Sequence, residues 1–195
     1  NTTTYLASKP RYEILDGLRG VAAMIVVAYH LFETYSADPV HQILNHGYLA
    51  VDFFFVLSGF VIGYAYDDRW DRMSIKDFFK RRLVRLHPMV IMGSIVGAAF
   101  FYFQESPCFP PIENTSIGTM LLVMLLGCTL LPLPLKFDIR GWTEMHPLNG
   151  PAWSLYYEYI GNILYALFVR KFNKVALSVL VFVAGCFTVY RLSLI

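Results

Sequence analysis

Charge is scarce in this sequence. Asp, Glu, Lys and Arg make up 15% of 195 residues, against 56% apolar, where a soluble domain carries about 25% charged and about 45–50% apolar. That shortage argues against a water-facing globular domain. Cysteine is scarce too. Of the three, Cys108 lies in a Pro-rich loop and Cys128 and Cys186 sit inside apolar runs, with no CxxC or Cys/His spacing. Neither a disulfide framework nor a metal site is expected. Internal repeats and low-complexity tracts are also missing, and a net charge of +2 gives no reason to expect nucleic acid as a partner. The chain opens on Asn1 without an initiator Met and stops at Ile195 without a polar tail. The expectation is a tail, 1–10, followed by one membrane domain, 11–195, incomplete at its carboxyl end.

What the chain has in plenty is apolar and aromatic side chains, including thirteen Tyr and sixteen Phe, suited to helices packed in lipid and anchored at its surfaces. Six apolar runs stand out: about 18–35, 47–66, 89–103, 117–135, 153–169 and 175–192. A spanning helix needs about 20 apolar residues. Four runs fit that length, the one at 89–103 is short, and the fifth carries Glu158 and Asn162. The first is read as an uncleaved span rather than a signal peptide, because Arg19 and His30 interrupt it and no small-residue cleavage site follows. The fold class is therefore all-α: a polytopic transmembrane bundle of about six helices.

Lys and Arg placement sets the orientation. Lys9 and Arg11 precede the first run, the loop 36–46 has no Lys or Arg, and 67–88 carries seven. The amino terminus and 67–88 are expected to be cytoplasmic, with 36–46 outside. Beyond that the pattern conflicts with itself. If the third, fourth and fifth runs all cross, Arg170, Lys171 and Lys174 fall outside. Either the short third run or the Pro-broken end of the fourth (Pro132, Pro134) does not cross simply, or this hairpin breaks the rule.

Ionisable residues inside spans are costly and mark function or buried pairing. Arg19 and His30 lie eleven residues apart, about three turns, and so leave the same helix face about 16 Å apart. A His that titrates near neutral pH is a natural general base in a dry cavity. Asp52 has two readings, orienting His30 or capping a helix start. Gly59 and Gly63 form a small-xxx-small pair, read as packing. Residues 75–86 form an amphipathic cytoplasmic helix, with Ile75, Phe78, Phe79, Leu83 and Leu86 on one side and Pro88 marking the boundary to the next span. Arg82 points into the apolar side and Arg85 lies at its edge. A pair of guanidinium groups at i and i+3 suits a phosphate-bearing ligand; a positive-inside anchor explains the charge but not the direction of Arg82. Ser154, Glu158 and Asn162 recur every four residues as a polar stripe that must face protein or water. Glu158 is either a counter-ion for an Arg or part of the site.

These groups, in this order, resemble the acyltransferase-3 family of membrane acyltransferases. The likeness rests on Leu15-Asp16-Gly17-Leu18-Arg19-Gly20 leading to His30, on Gly47 through Phe60, on Arg81-Arg82-Leu83-Val84-Arg85, and on Trp153-Ser154-Leu155 with Glu158. It covers about 11–169. The resemblance implies a ten-helix plasma (inner) membrane protein that moves an acyl group, often acetyl, from cytoplasmic acyl-CoA to a hydroxyl. The acceptor it implies is an envelope carbohydrate, a lipid-linked sugar or a related molecule. By position, Arg19 and His30 match the family's Arg-x10-His pair, and Arg82 and Arg85 its Arg-x-x-Arg.

The expected enzyme is thus an acyl-CoA-dependent O-acyltransferase, with acyl-CoA as co-substrate, no bound cofactor, and membrane lipids around it. His30, Arg19 and Glu158 are its candidate catalytic residues. Arg82 and Arg85 bind the donor, while Asp52, Trp153 and Ser154 support, the oxyanion donor being one of Arg19, Trp153 and Ser154. Two other classes fit parts of the pattern: a proton-coupled transporter using His30, Asp52 and Glu158 as a relay, and a non-catalytic membrane scaffold.

Overall fold

The computed structural model describes residues 9–33, 42–105 and 110–192, and among these every regular element is helical. Six α-helices follow in order: α1 (Glu13–Glu33), α2 (Leu49–Tyr66), α3 (Ile75–Phe103), α4 (Ile117–Gly127), α5 (Ala152–Leu167) and α6 (Lys174–Leu192). The first three are long and apolar enough to cross a membrane. Cys108 and most of the loop expected outside, 36–41, lie outside the described residues.

Helix α1 starts five residues before its apolar run. Glu13 and Asp16 occupy its first turn, where carboxylates meet the positive end of the helix dipole. This shift puts His30 in the last turn rather than deep in the span. Helices α1 and α2 form an antiparallel pair. Tyr12 meets Tyr64 at 5.0 Å at one end, and Tyr29 meets Tyr48 at 6.5 Å at the other. Gly47 is required there, since a Cβ would sit 2.6 Å from that of Tyr29.

The expected amphipathic helix is not a separate element. Ser74 and Asp77 form a capping box, and the helix that it starts continues through Pro88 to Phe103. Pro88 removes one bond, to the carbonyl of Val84, yet α3 runs 29 residues, about 43 Å. Burial of Phe78, Arg82, Val90, Ser94, Ala98 and Phe101 along one face holds it together across the proline.

The fourth run does not make a spanning helix. Helix α4 has 11 residues, about 16 Å, and packs antiparallel to α3, with Met120 and Val123 against Ala98 and Phe101. It ends where Leu130 takes a left-handed conformation (φ 62°). The chain then makes a non-helical excursion and returns, with Leu133 N–H donating to the Met145 carbonyl. Leu130 and Ala152, the first residue of α5, both pack on Val90. Helices α4 and α5 are therefore two halves of one broken traverse. Irregular backbone at such depth needs protein around it, and α3 supplies it: Gly97 lies so close that a Cβ would stand 1.6 Å from the Leu148 carbonyl oxygen.

The broken traverse resolves the charge conflict. Helix α5 runs back along α3 to the end that carries 67–88, where the Arg170 guanidinium lies 4.1 Å from the Trp70 ring centroid. Arg170, Lys171 and Lys174 thus join the other basic residues at one end of the bundle. Below that end a layer of Ile62, Met73, Phe78 and Ala166, flanked by Tyr66, Trp70 and Tyr165, closes the core. The Gly59–Gly63 packing expectation is not met. A Cβ at Gly59 meets nothing within 4 Å, and one at Gly63 meets only the Asp67 carboxylate. Helix α6 presents an apolar surface with Cys186 exposed.

Candidate active site

Three helices meet at one carboxylate. Glu158 on α5 accepts from Arg82 Nη2 on α3 at 2.6 Å and from Ser58 Oγ on α2 at 2.8 Å, both at Oε1. Arg82 is 3% exposed, and an isolated charge so deep would be expensive. Glu158 neutralises it, so of the two readings of Glu158 the counter-ion is the one seen. Asn162, one turn along, donates Nδ2 to the Glu158 carbonyl at 2.7 Å. Three polar atoms beside this pair are buried without partners: Arg82 Nε, the Tyr159 hydroxyl and Asn162 Oδ1. A guanidinium held by one amino group with Nε unmet is a fixed charge with hydrogen-bonding capacity left over.

Depth along α2 orders the remaining candidates. Ten residues back from the Tyr29–Tyr48 contact lie Arg19 on α1 and Ser58 on α2, about 15 Å along the axis. Arg19 is therefore level with the Arg82–Glu158 pair, and it faces Asp16 at 3.4 Å. His30 lies at the far end, one residue past Tyr29. Its Nδ1 is 3.0 Å from Glu33 Oε2. A carboxylate only accepts, so Nδ1 donates to it.

Asp52 is exposed and takes no ion pair among the described residues. Trp153 contacts Phe55 at 6.2 Å, and Ser154 donates to the Pro151 carbonyl at 2.9 Å. Arg85, one turn beyond Arg82 and so further from the basic end, is exposed. The structure thus brings Arg82 and Glu158 together, sets Arg19 at their depth, leaves Trp153 and Ser154 within about a turn and a half of Glu158 on α5, and places His30 and Asp52 toward the opposite end. His30, Asp52 and Glu158 stand at three different depths. No three His, Cys, Asp or Glu side chains gather in metal-binding geometry among the described residues.

The sequence has counterparts among known proteins. A family model described as an acyltransferase domain (Acyl_transf_3) matches residues 12–195. The chain belongs to the acyltransferase-3 family. It is 34% identical over 163 residues to "Protein 2 in picA locus" of Rhizobium radiobacter, covering 80% of this chain and 81% of that protein. It is 27% identical over 173 residues to "Acyltransferase MdmB" of Streptomyces mycarofaciens, covering 85% of this chain but 41% of that one. The "Peptidoglycan O-acetyltransferase OatA" of Listeria monocytogenes is 30% identical over 125 residues, 63% of this chain and 18% of its own length. The chain therefore spans most of the first relative and well under half of the other two. No solved structure matches it.

Within this acyltransferase-3 domain, sequence reasoning passed over several polar residues. Ser58 lay inside the quoted Gly47–Phe60 motif without a role. Tyr159 stands next to Glu158, off the four-residue stripe. His146 was missed entirely. It is 2% exposed with neither ring nitrogen partnered, in the excursion between α4 and α5. The one available signal was the density of polar and turn residues in 138–150, inside an otherwise apolar half of the chain.

Proposed function

We propose that the chain is the donor- and acceptor-gathering part of a membrane O-acyltransferase. It moves an acyl group, acetyl in the simplest case, from acyl-CoA to a hydroxyl of an envelope carbohydrate or lipid-linked sugar. The observation that carries this reading is a separation. The basic end lies on one side of the Arg82–Glu158–Ser58 cluster, and His30 lies about 15 Å from that cluster on the other. Arg85 is exposed one turn along α3 from Arg82, between the cluster and His30 in depth. A coenzyme A thioester is joined to its phosphates by a long flexible arm, so one molecule can hold both ends of such a path at once.

In this reading the basic end faces the cytoplasm at the plasma (inner) membrane, where acyl-CoA is made. Arg85 binds donor phosphate oxygens directly. Arg82, held by Glu158, adds a fixed positive charge and a free Nε–H behind it. Arg19, level with the pair, keeps the middle of the path polar. At the far end the carboxylate of Glu33 fixes the His30 tautomer. Nε2 takes the proton of the acceptor hydroxyl as its oxygen attacks the thioester carbonyl. The tetrahedral intermediate collapses, the thiolate leaves, and His30 returns the proton to sulfur. Asp52, Trp153 and Ser154 shape the acceptor half. The relatives named as an acyltransferase and a peptidoglycan O-acetyltransferase favour this chemistry over a transporter.

The test is acyl-CoA binding to the natural full-length protein in nanodiscs. A charge-assisted hydrogen bond contributes about 1.5–3 kcal/mol, so Arg85→Ala should weaken donor binding about 10- to 150-fold. Lys at 85 should rescue only in part, because an ammonium lacks the two-pronged geometry. Equal binding by all three proteins would remove the donor role from Arg85.

A further inference from the structure

The excursion between α4 and α5 is built around an outward-facing indole. The Asp138 carboxylate accepts the backbone N–H of Gly141 at 3.1 Å and of Thr143 at 2.7 Å. The turn puts Gly141 (φ 75°) and Thr143 (φ 56°) in the left-handed region, which a β-branched residue such as Thr143 rarely enters. The residue between them, Trp142, is 54% exposed. The Arg140 guanidinium lies 5.5 Å from the Trp142 ring centroid. Its Nη1 donates to Glu144 Oε2 at 3.1 Å and to the Pro147 carbonyl at 3.2 Å. Gly150 makes room for Glu144, since a Cβ there would lie 2.7 Å from Oε1; this sets the carboxylate beside the turn that opens α5. Behind the turn, His146 is 2% exposed with both ring nitrogens unmet.

We propose that segment 138–146 is the saccharide-recognition subsite of the acceptor, with Trp142 as the platform for a pyranose ring. The inference rests on the acyl-transfer reading above and names the place where the acceptor is held. The chemistry matches at each point. An aromatic face takes the C–H side of a sugar ring, while a planar guanidinium and a carboxylate beside it bind vicinal hydroxyls as donor and acceptor. An imidazole carries one donor and one acceptor, and a hydroxyl, being both, satisfies either nitrogen. The position agrees as well. This segment packs by Ala98 and Phe101, toward the end opposite the basic cluster, which is the end that carries His30. Non-helical backbone that interrupts a membrane traverse is where membrane proteins place polar ligands. A Trp that only anchors the bundle in lipid headgroups explains the exposure of the indole, but not the braced Arg140–Glu144 pair or the unmet His146.

The experiment is calorimetric titration of the natural full-length protein in nanodiscs with three soluble probes: oligomers of N-acetylglucosamine, of glucose and of mannose. We expect saturable binding of at least one probe. Trp142→Ala should weaken it about tenfold or more, Trp142→Phe much less, since a phenyl ring keeps a stacking face. Glu144→Gln, which keeps the shape of the side chain, should also weaken it, and reads the subsite independently if Trp142→Ala fails to fold. Acyl-CoA binding measured on the same samples should not change. If no probe binds, or if binding is the same in wild type, Trp142→Ala and Glu144→Gln, Trp142 is a lipid anchor and the subsite falls. Loss of acyl-CoA binding with saccharide binding intact would instead count against the donor reading alone.

Discussion

Arg82 and Glu158 are 76 positions apart in the sequence and 2.6 Å apart in the structure. Their contact ties the second half of the broken traverse to α3, and Ser58 adds α2 to the same carboxylate. Removing one member leaves an unpaired charge in the core, which typically costs about 3–5 kcal/mol. Arg82→Ala and Glu158→Gln should each lower the thermal midpoint in detergent sharply. The double variant Arg82→Met/Glu158→Leu should recover most of the stability, because no charge remains to be neutralised. A double variant as unstable as the sum of the two singles would mean that the pair is not coupled.

Glycines 93 and 97 separate two kinds of close approach. A Cβ at Gly93 would press on the Asn149 side-chain amide at 2.6 Å, and one at Gly97 on the Leu148 backbone at 1.6 Å. A side chain can move away and the braced backbone cannot. Gly97→Ala should therefore destabilise by about 1–3 kcal/mol or more, and Gly93→Ala by clearly less. Comparable melting of the two variants would show that the excursion at 148 is free to shift.

The broken traverse makes a topological prediction. A cysteine at Lys171 should label from the same side of the membrane as one at Ser74, and one at Thr143 from the opposite side. With the basic end inside, an impermeant reagent added to intact cells should reach 143 only. Labelling of 171 but not of 143 would restore α4 as a full span and overturn this fold.

The sequence made the helical class, the first two spans and the polar residues legible, because apolar periodicity and isolated charges in lipid leave local marks. The third span hid behind a run at 89–103 that looked too short. It did not reveal how distant charges pair. Glu158 read equally well as counter-ion or site residue until Arg82 was seen beside it. The run at 117–135 looked continuous because composition does not record the left-handed turn at Leu130, although Pro132 and Pro134 pointed to trouble. Pro88 misled in the opposite sense: burial along one face of α3 outweighs one missing backbone bond. The small residues that matter for packing were also invisible in isolation. Gly59 and Gly63 have the familiar spacing, yet close approach occurs at Gly97, whose partner carbonyl lies in a segment without periodicity. His146 was hidden for the same reason.

Expected loss of catalysis without loss of donor binding separates the base from the scaffold. His30 is 55% exposed at its side chain and bonded to Glu33, so its removal leaves no buried charge unpaired. His30→Ala should keep native abundance and melting, and Glu33→Gln should keep part of the activity, since a neutral amide still orients the ring. Wild-type activity in Glu33→Gln would show that Glu33 has no part in setting the tautomer.

Donor binding at Arg85 and proton transfer at His30 form a division of labour, and one paired assay tests it. Acyl-CoA affinity and acyl transfer to isolated cell-envelope glycans would be measured side by side on the full-length protein and on its His30→Ala and Arg85→Ala forms. The division predicts that His30→Ala binds acyl-CoA like wild type but transfers no acyl group, while Arg85→Ala binds acyl-CoA about 10- to 150-fold more weakly and regains transfer at high donor concentration. Transfer by His30→Ala near the wild-type rate, or donor binding by Arg85→Ala equal to wild type, would contradict it.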